Sequence, residues 1–362
     1  MDISKVKFDC KYFRGDIPCI SNKTKGFICD KCEDYTPISI KILIIKLGAI
    51  GDVIRTTPLI IKYRDLYKNC QISWLTKYPD ILPHDDIDKI YNFDFISTYI
   101  ITHQQYDIAI NLDKDFEACA LLNDVFSKQK FGYTLKDGHI ALANPAAEHK
   151  FLTGLFDNIS IKNKKSYLDE IFEICGMSFN NEQYLLPLNS TYNAKWNKIN
   201  ELANNRKIIG LNTGCGIRWL TRLWPDSSWI ELINKLKENN YFPIVLGGMD
   251  EDIKNSSFSS KTGVYYPGIY TLTEFIAILN HCDVIVSAVS MTMHIAMGLH
   301  KPLVLFNNIF NKNEFYLYNN GVILEPETGC DCYYGEKCKR ERHCMLDLKV
   351  DTVYNNIVKL IK

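Results

Sequence analysis

The sequence predicts an α/β protein made of two doubly wound halves, and its apolar pattern and its length both support this prediction. Short apolar runs typical of buried strands recur along the chain, and most precede a segment with helical spacing. Such alternation predicts parallel sheets with helices on their faces. The 362 residues fit two domains of roughly 150 residues each.

A polar, Asn-rich segment at 178–206 separates two sets of elements and is predicted to be a linker with one helix. The strands of the first set lie in KILIIKL, QISWLT and YDIAINL, and its first helix spans 53–68. The strands of the second set lie in KIIGLNT, YFPIVLGG, DVIVSA and PLVLFN, with helices at 226–240, 271–282 and 292–299. We therefore predict a Cys-rich segment (1–38), an N-terminal half (39–185) and a C-terminal half (186–362) with a Cys-rich element at 330–344.

The balance of charged residues argues against proteins that bind their partners through a large surface of one charge sign. Lys and Arg together number 42, as do Asp and Glu, so nothing global indicates a nucleic-acid partner. The chain contains neither an apolar signal region at its start nor a run of roughly 18 apolar residues. We expect a cytoplasmic protein, for which a local patch could still supply peripheral membrane contact.

The loop KLGAIGDVIRTT (46–57) follows the first strand and carries a single acid, Asp52. Its Gly48-x2-Gly51 spacing is not the G-x-G-x-x-G of dinucleotide-binding proteins, and no Gly-Lys-Ser/Thr follows, as a P-loop requires. Asp52 has two interpretations. It is either a helix N-cap worth about 1 kcal/mol or a general base, because ligands of open α/β sheets bind beyond the carboxyl ends of the strands.

Two loops of the second half suit a diphosphate. In GLNTGCGIRWLTRLWP (210–225), small residues leave N–H groups open to an anion and arginines match phosphate, although a solvated loop anchored by tryptophans would look similar. In VSAVSMTMHIAMGL (286–299), the first turn of a helix contains Thr292, Met293 and His294, and helix N-termini attract anions. The alternative for His294 is a histidine buried in the core.

Taken together and in order, KILIIKLGAIGDVIRTTP, GLNTGCGIRWLTRLWP, VLGGMDED and VSAVSMTMHIAMGLHKPLVLF resemble glycosyltransferase family 9, the bacterial heptosyltransferases. The resemblance covers about residues 40–362. It implies the GT-B fold, in which two Rossmann-like domains face each other across a cleft. It also implies inverting transfer of heptose from ADP-heptose without a catalytic metal.

The resemblance also implies roles for individual residues. Asp52 matches the catalytic base, and the donor-binding positions are Thr213, Gly214, Arg222, Glu251, Thr292, Met293 and His294. Glu251 corresponds to an acid that contacts the ribose. The chain departs from the family at one place, since Val289, Ser290 and Met291 replace a frequent Asp-Thr-Gly. This difference leaves the identity of the sugar open.

Eight of the thirteen cysteines fall into two clusters, a pattern that favours metal binding in a reducing compartment. The N-terminal cluster consists of Cys10, Cys19, Cys29 and Cys32, and the C-terminal cluster of Cys330, Cys332, Cys338 and Cys344. Zinc and iron both accept four thiolates, so either is expected as a structural metal, in one site or two. The alternative is free structural thiols.

The cysteines also bear on the acceptor. In its clustered cysteines the chain resembles protein-modifying heptosyltransferases of the autotransporter type, which have cysteine-bound iron and form oligomers. The expected acceptor is thus either a lipopolysaccharide-core sugar or a protein Ser/Thr hydroxyl, and a homo-oligomer is in keeping with the latter.

Two other classes of function stay open on sequence alone. A redox or iron–sulfur protein using a nicotinamide or flavin is favoured by the clustered cysteines and disfavoured by the missing dinucleotide motif. A binding protein descended from a transferase is favoured by Val289 and disfavoured by the presence of Asp52 and Arg222.

Overall fold

Two β-sheets form the framework of the chain, and the computed structural model describes residues 2–361. The strands are β1 (Lys41–Ile45), β2 (Gln71–Thr76), β3 (Lys89–Asn92), β4 (Gln105–Asn111), β5 (Phe126–Lys136), β6 (His139–Leu142), β7 (Ile208–Asn212), β8 (Phe242–Leu246), β9 (Val284–Ala288), β10 (Leu303–Phe306) and β11 (Gly321–Leu324).

Helices cover these sheets and join their strands. They are α1 (Ile20–Lys25), α2 (Ile50–Ile54), α3 (Pro58–Leu66), α4 (Phe95–Thr102), α5 (Phe116–Asp124), α6 (Glu148–Leu155), α7 (Asp157–Ser160), α8 (Tyr167–Ile174), α9 (Ser190–Lys195), α10 (Lys198–Ala203), α11 (Asp226–Glu238), α12 (Asp252–Thr262), α13 (Leu272–Asn280), α14 (Met291–Gly298) and α15 (Val350–Leu360).

The first sheet has the strand order β3-β2-β1-β4-β5-β6 and is parallel except for β6, which pairs antiparallel with β5. The second sheet is wholly parallel, with the order β11-β10-β9-β7-β8. All seven strands predicted from the sequence are present. Every residue of β2, β7, β9 and β10 is buried, as expected for parallel strands covered on both faces. The two doubly wound halves are therefore confirmed.

Two predicted details are wrong. The helix predicted at 53–68 is two helices, α2 and α3, because Pro58 begins a new helix and restricts the residue before it. The segment at 178–206 holds two short helices, α9 and α10, instead of one.

The N-terminal segment up to residue 38 has almost no core of its own. Ser21 is its one buried residue within the part of the chain that is described. An ion pair between Lys11 and Asp88 at 2.8 Å joins it to the N-terminal half. In residues 2–361 we find no helix with the length and apolarity needed to cross a bilayer.

Candidate active site

The topology places a ligand-binding crevice in each half. In the first sheet the chain leaves β1 toward β2 and later returns on the other side of β1 to form β4; in the second sheet β7 lies likewise between β8 and β9. Ligands of such sheets bind beyond the carboxyl ends of the strands at these switch points. The helices that follow β1 and β9, namely α2 and α14, pack against each other, so the two crevices adjoin.

A glycine makes this approach between the halves possible. A Cβ atom on Gly51 would lie 2.6 Å from Cδ2 of His294, closer than real Cβ atoms come to a neighbouring ring. Any larger residue at position 51 would push α14 away. The second glycine of the sequence motif therefore brings Asp52 and His294 to the same cavity.

The larger of two cavities at this junction has a volume of about 540 Å³. Charged and polar groups in its wall include Asp52, Arg55, Arg218, Arg222, Ser290, His294 and Glu314. Five aromatic residues complete much of the wall: Tyr78, Trp219, Phe310, Phe315 and Tyr334. Both halves contribute, as an active site between two domains requires.

Asp52 lies in this wall as an ionised carboxylate. Its Oδ1 atom is 2.5 Å from Nη2 of Arg55, whose guanidinium lies over the ring of Tyr167 at 3.5 Å. Burial opposes ionisation of Asp52, but the positive charges of Arg55 and Lys46 outweigh it and lower the pKa to about 2. The N-cap interpretation is wrong, because α2 begins after Ala49 and no side chain caps it.

A buried ion pair supports the loop that carries Asp52. The ammonium group of Lys46 contacts Oδ1 of Asp113, and Oδ2 of Asp113 accepts a hydrogen bond of 3.0 Å from the Gly48 N–H. Both side chains are at least 94% buried. This pair was not predicted from the sequence. Its only signal was a lysine directly after the apolar residues of β1 and an aspartate just after β4.

The smaller cavity, of about 390 Å³, lies beside the larger one in the C-terminal half. Its wall includes Asn212, Gly214, Glu251, Ser290 and Thr292, together with the apolar faces of Tyr270, Leu272 and Phe275. Ile50, Ser290 and Met291 line both cavities, so a ligand can extend from one into the other. This mixture of apolar side chains and a few polar groups is typical of a small-molecule site.

Gly214 and Glu251 depend on each other at this cavity. A Cβ atom on Gly214 would lie 2.1 Å from Oε1 of Glu251. The other oxygen, Oε2, accepts a hydrogen bond of 2.8 Å from the Gly248 N–H. The glycine thus leaves room for the carboxylate, which is fixed at the cavity wall.

Two predicted donor-binding residues line neither cavity. The Thr213 hydroxyl donates to Oδ1 of Asn255 at 2.7 Å and is buried behind the loop. Met293 is fully buried in the core. The sequence places Thr213 after a strand and Met293 in the first turn of a helix, as observed, but it does not indicate the direction of their side chains.

Arg222 lines the larger cavity and at the same time ties the surrounding loops together. Its guanidinium donates to the backbone carbonyls of Val289, Cys215 and Trp219, the last at 3.2 Å. No carboxylate pairs with it in the described part of the chain, and burial lowers its pKa. Arg222 therefore brings positive charge to the cavity while it holds the loop after β7 against the loop after β9.

His294 is a neutral residue at this junction. Burial, with the nearby charge of Arg55, lowers its pKa to about 3. Its ring stacks with Tyr184 at 6.1 Å, and Nδ1 has no hydrogen-bond partner within residues 2–361. It can donate or accept a hydrogen bond at the cavity, but it adds no positive charge for a diphosphate.

The N-terminal cysteines come together around one small space. Cys10, Cys19, Cys29 and Cys32 all line a cavity of about 30 Å³, together with Phe13, Phe27 and Tyr35. Each of the four is a free thiol and partly exposed. Four thiols are a donor set that zinc and iron accept.

The C-terminal cysteines also converge. The Lys339 N–H donates to Sγ of Cys332 at 3.2 Å, and the Cys332 N–H donates to Sγ of Cys330 at 3.4 Å. As the side chains stand across residues 2–361, no three His, Cys, Asp or Glu side chains form a group that could hold a metal ion. Metal binding by either cluster stays a prediction.

Two Rossmann-like domains with adjoining crevices form a GT-B fold, with the Asp52 carboxylate in the cavity between them. The sequence profile of glycosyltransferase family 9 (heptosyltransferase) matches residues 100–320, more than half of the chain. The protein belongs to this family and is a glycosyltransferase of the heptosyltransferase type. The matched region contains all predicted donor-binding residues but not the loop of Asp52.

Solved structures share the fold across nearly the whole chain. A family 9 glycosyltransferase from Veillonella parvula has a TM-score of 0.69 at 16% identity, covering 90% of this chain and 97% of that one. The ADP-heptose lipopolysaccharide heptosyltransferase II of E. coli has a TM-score of 0.65 at 15% identity, covering 89% and 98%. The iron-containing dodecameric glycosyltransferase TibC from enterotoxigenic E. coli has a TM-score of 0.56 at 13% identity, covering 89% and 76%. Among curated proteins, no sequence matches significantly.

Proposed function

We propose that the protein transfers heptose from ADP-heptose to a hydroxyl group of its acceptor, with inversion at the anomeric carbon and Asp52 as the general base. The observation that carries this proposal is the position of an ionised carboxylate in the larger cavity, which adjoins a nucleotide-sized cavity. Structures of similar fold support the donor. They include the E. coli heptosyltransferase WaaC with ADP, at a TM-score of 0.58 and 14% identity, and TibC in complex with ADP-D-beta-D-heptose, at 0.55 and 14%.

In this mechanism the adenine and ribose occupy the smaller cavity, with Glu251 near the ribose. The acceptor oxygen attacks the anomeric carbon, the bond from that carbon to the diphosphate breaks, and the hydroxyl proton passes to Asp52. A carboxylate with a pKa of about 2 is a weak base toward a free hydroxyl. The proton therefore transfers while the new bond forms, when the hydroxyl is far more acidic.

The leaving ADP gains negative charge as the bond breaks. Arg222 and the free N–H groups at the start of α14 would stabilise that charge, because they are in position before reaction. Arg218 offers a further positive charge. It lies over the Trp219 ring at 4.3 Å and forms no ion pair in the described region.

The acceptor is either a lipopolysaccharide-core sugar or a protein Ser/Thr hydroxyl. The similarity to TibC, which contains iron and is dodecameric, supports a homo-oligomer, and the resemblance of the cysteine clusters to protein-modifying heptosyltransferases supports a protein acceptor. The similarity to heptosyltransferase II supports a lipopolysaccharide acceptor. Membership of a glycosyltransferase family argues against the redox alternative.

The donor is tested by calorimetric titration with ADP, UDP, GDP and NAD in parallel. We expect ADP to bind most tightly, because the structures of similar fold include a heptosyltransferase with ADP. Preference for UDP or GDP would contradict an ADP-sugar donor while leaving a glycosyltransferase. Binding of NAD alone would contradict the proposed function altogether.

We also propose that zinc or iron binds the cysteine clusters in a structural role. The N-terminal segment supports this, because about 40 residues without a core usually need a cross-link or a metal to fold. Elemental analysis of the purified protein should find zinc or iron. If there are two sites, Cys32→Ser and Cys338→Ser should each lower the metal content of the protein. A metal-free wild-type protein would contradict the proposal.

A further inference from the structure

The wall of the larger cavity contains a carboxylate that the proposed mechanism does not use. Glu314 ends a short turn after β10 and faces the cavity. Within the described residues it has no ion-pair partner, since the neighbouring Lys312 pairs with Glu325 at 2.9 Å. From residues 2–361 it receives one side-chain hydrogen bond, donated by the Tyr334 hydroxyl at 3.3 Å. Most of its acceptor capacity is therefore free.

Glu314 differs from the other residues of the cavity wall in its free capacity to accept hydrogen bonds. Asp52 is the cavity's other acid, and Arg55 already holds it. The apolar Val289 lines the cavity next to Ser290 at the end of β9 and cannot accept a hydrogen bond through its side chain. Glu314 is therefore the carboxylate of this cavity that is available to accept hydrogen bonds from a ligand with several hydroxyl groups.

Tyr334, which holds Glu314, comes from the loop between Cys332 and Cys338. Its backbone has φ +45°, a conformation that side-chain-bearing residues seldom adopt and that surrounding contacts must maintain. The Tyr334 N–H donates to the Ile309 carbonyl at 3.0 Å. The Thr221 hydroxyl donates to the Gly335 carbonyl at 3.0 Å. The loop is thus fastened to the residues next to Arg222.

Aromatic packing fixes the Tyr334 ring in the cavity wall. Its centroid lies 5.1 Å from that of Phe310 and 5.7 Å from that of Trp219, and each of these pairs has an edge-to-face geometry. The C-terminal cysteines border this loop directly, because the Gly335 N–H donates to the Cys332 carbonyl at 2.7 Å. A cysteine cluster at the end of the chain therefore shapes the cavity in which transfer would occur.

We propose that Glu314 determines sugar specificity by accepting hydrogen bonds from hydroxyls of the transferred sugar, and that Tyr334 is a positioning residue held in place by the C-terminal cysteine cluster. This inference rests on the proposed function, since it places the sugar of the donor in the larger cavity. It also gives the C-terminal cluster a role at the active site.

The sugar contact is tested by measuring the affinities of ADP and ADP-heptose by calorimetry. In the wild type we expect ADP-heptose to bind more tightly than ADP. Glu314→Gln should weaken ADP-heptose binding roughly tenfold, as expected for loss of a hydrogen bond to a charged group, and leave ADP binding unchanged. Tyr334→Phe should produce a smaller loss of the same kind. The control is Glu327→Gln, which removes an exposed carboxylate paired with Lys349 and should change neither affinity.

The outcomes separate the two proposals. If the wild type binds neither ADP nor ADP-heptose, the proposed function fails. If the wild type binds ADP-heptose more tightly and Glu314→Gln keeps that advantage, or loses ADP and ADP-heptose binding equally, the role of Glu314 is wrong and the proposed function stands.

The role of the cysteine loop has a readout that needs no substrate. Trp219 is partly exposed, whereas the other four tryptophans are at most 2% exposed, so acrylamide quenching of fluorescence reports mainly on Trp219. Tyr334→Ala and Cys338→Ser should both increase quenching, and Trp219→Phe should remove the quenchable part. Unchanged quenching in Cys338→Ser, with ADP affinity intact, would show that the cluster does not hold the loop.

Discussion

Asp52→Asn should abolish sugar transfer and leave ADP binding intact. Asparagine has nearly the same size and fits the same place beside Arg55, but it cannot take the proton of the acceptor hydroxyl. General base catalysis typically contributes about 10²–10⁴-fold, and kcat should fall by that factor. The smaller cavity does not include residue 52, so the dissociation constant of ADP should stay within about twofold of the wild type, well under 1 kcal/mol.

The measurement is ADP release with donor and acceptor present, together with calorimetry of ADP. Asp80→Asn is a matched control, because it changes an exposed aspartate of the same half and should leave kcat unchanged. Normal turnover in Asp52→Asn would exclude Asp52 as the base. Equal losses of turnover and ADP affinity would indicate a structural effect.

The low pKa of Asp52 also predicts how pH acts on this residue. Its pKa falls from 3.8 to about 2 on folding, so the ionised carboxylate stabilises the folded protein above about pH 3.8, and this contribution disappears as the pH approaches 2. In the wild type, Asp52 should therefore cause no acidic limb of kcat/KM above about pH 4. Arg55→Gln should raise its pKa and move that limb to higher pH.

Seven strands were predictable from the sequence because most of their residues are buried. At least half of the residues are apolar in each of the strands β1, β2, β4 and β7 to β10, and the alternation of these strands with helices predicts parallel sheets. The edge strands β3, β6 and β11, and the long β5, were missed. β5 mixes exposed and buried residues, so its sequence does not differ from that of a loop.

The active site was predictable to the level of loops, and less so to the level of side chains. Small residues placed after strands indicated the loops that carry Asp52 and Gly214, whereas Glu251 was predicted only from the resemblance to the family. The direction of Thr213 depends on Asn255, which lies 42 residues further along the chain. Glu314 and Tyr334 belong to no motif, and only the packing of the chain brings them into one cavity.

The second large effect that we expect concerns stability, and it involves the buried ion pair between Lys46 and Asp113. Asp113→Ala should lower the free energy of unfolding by about 3–5 kcal/mol, because it leaves the Lys46 ammonium group buried without a partner. Burial works to lower the pKa of Lys46, whereas Tyr167 and Asp113 act to raise it, and the net shift is upward. Loss of Asp113 also leaves the Gly48 N–H unpaired and loosens the loop before Asp52.

The change in the free energy of unfolding is measured by urea unfolding. Two further variants test whether the buried charge of Lys46 causes it. Lys46→Met combined with Asp113→Ala should be less destabilised than Asp113→Ala alone, because no charge is then left buried. Glu327→Gln breaks an exposed pair and should change the free energy of unfolding by about 0.5 kcal/mol or less. If Asp113→Ala were as stable as the wild type, Lys46 would have to reach water by moving the glycine loop. Turnover should then fall, because Asp113 holds the loop that orients the Asp52 carboxylate in the cavity.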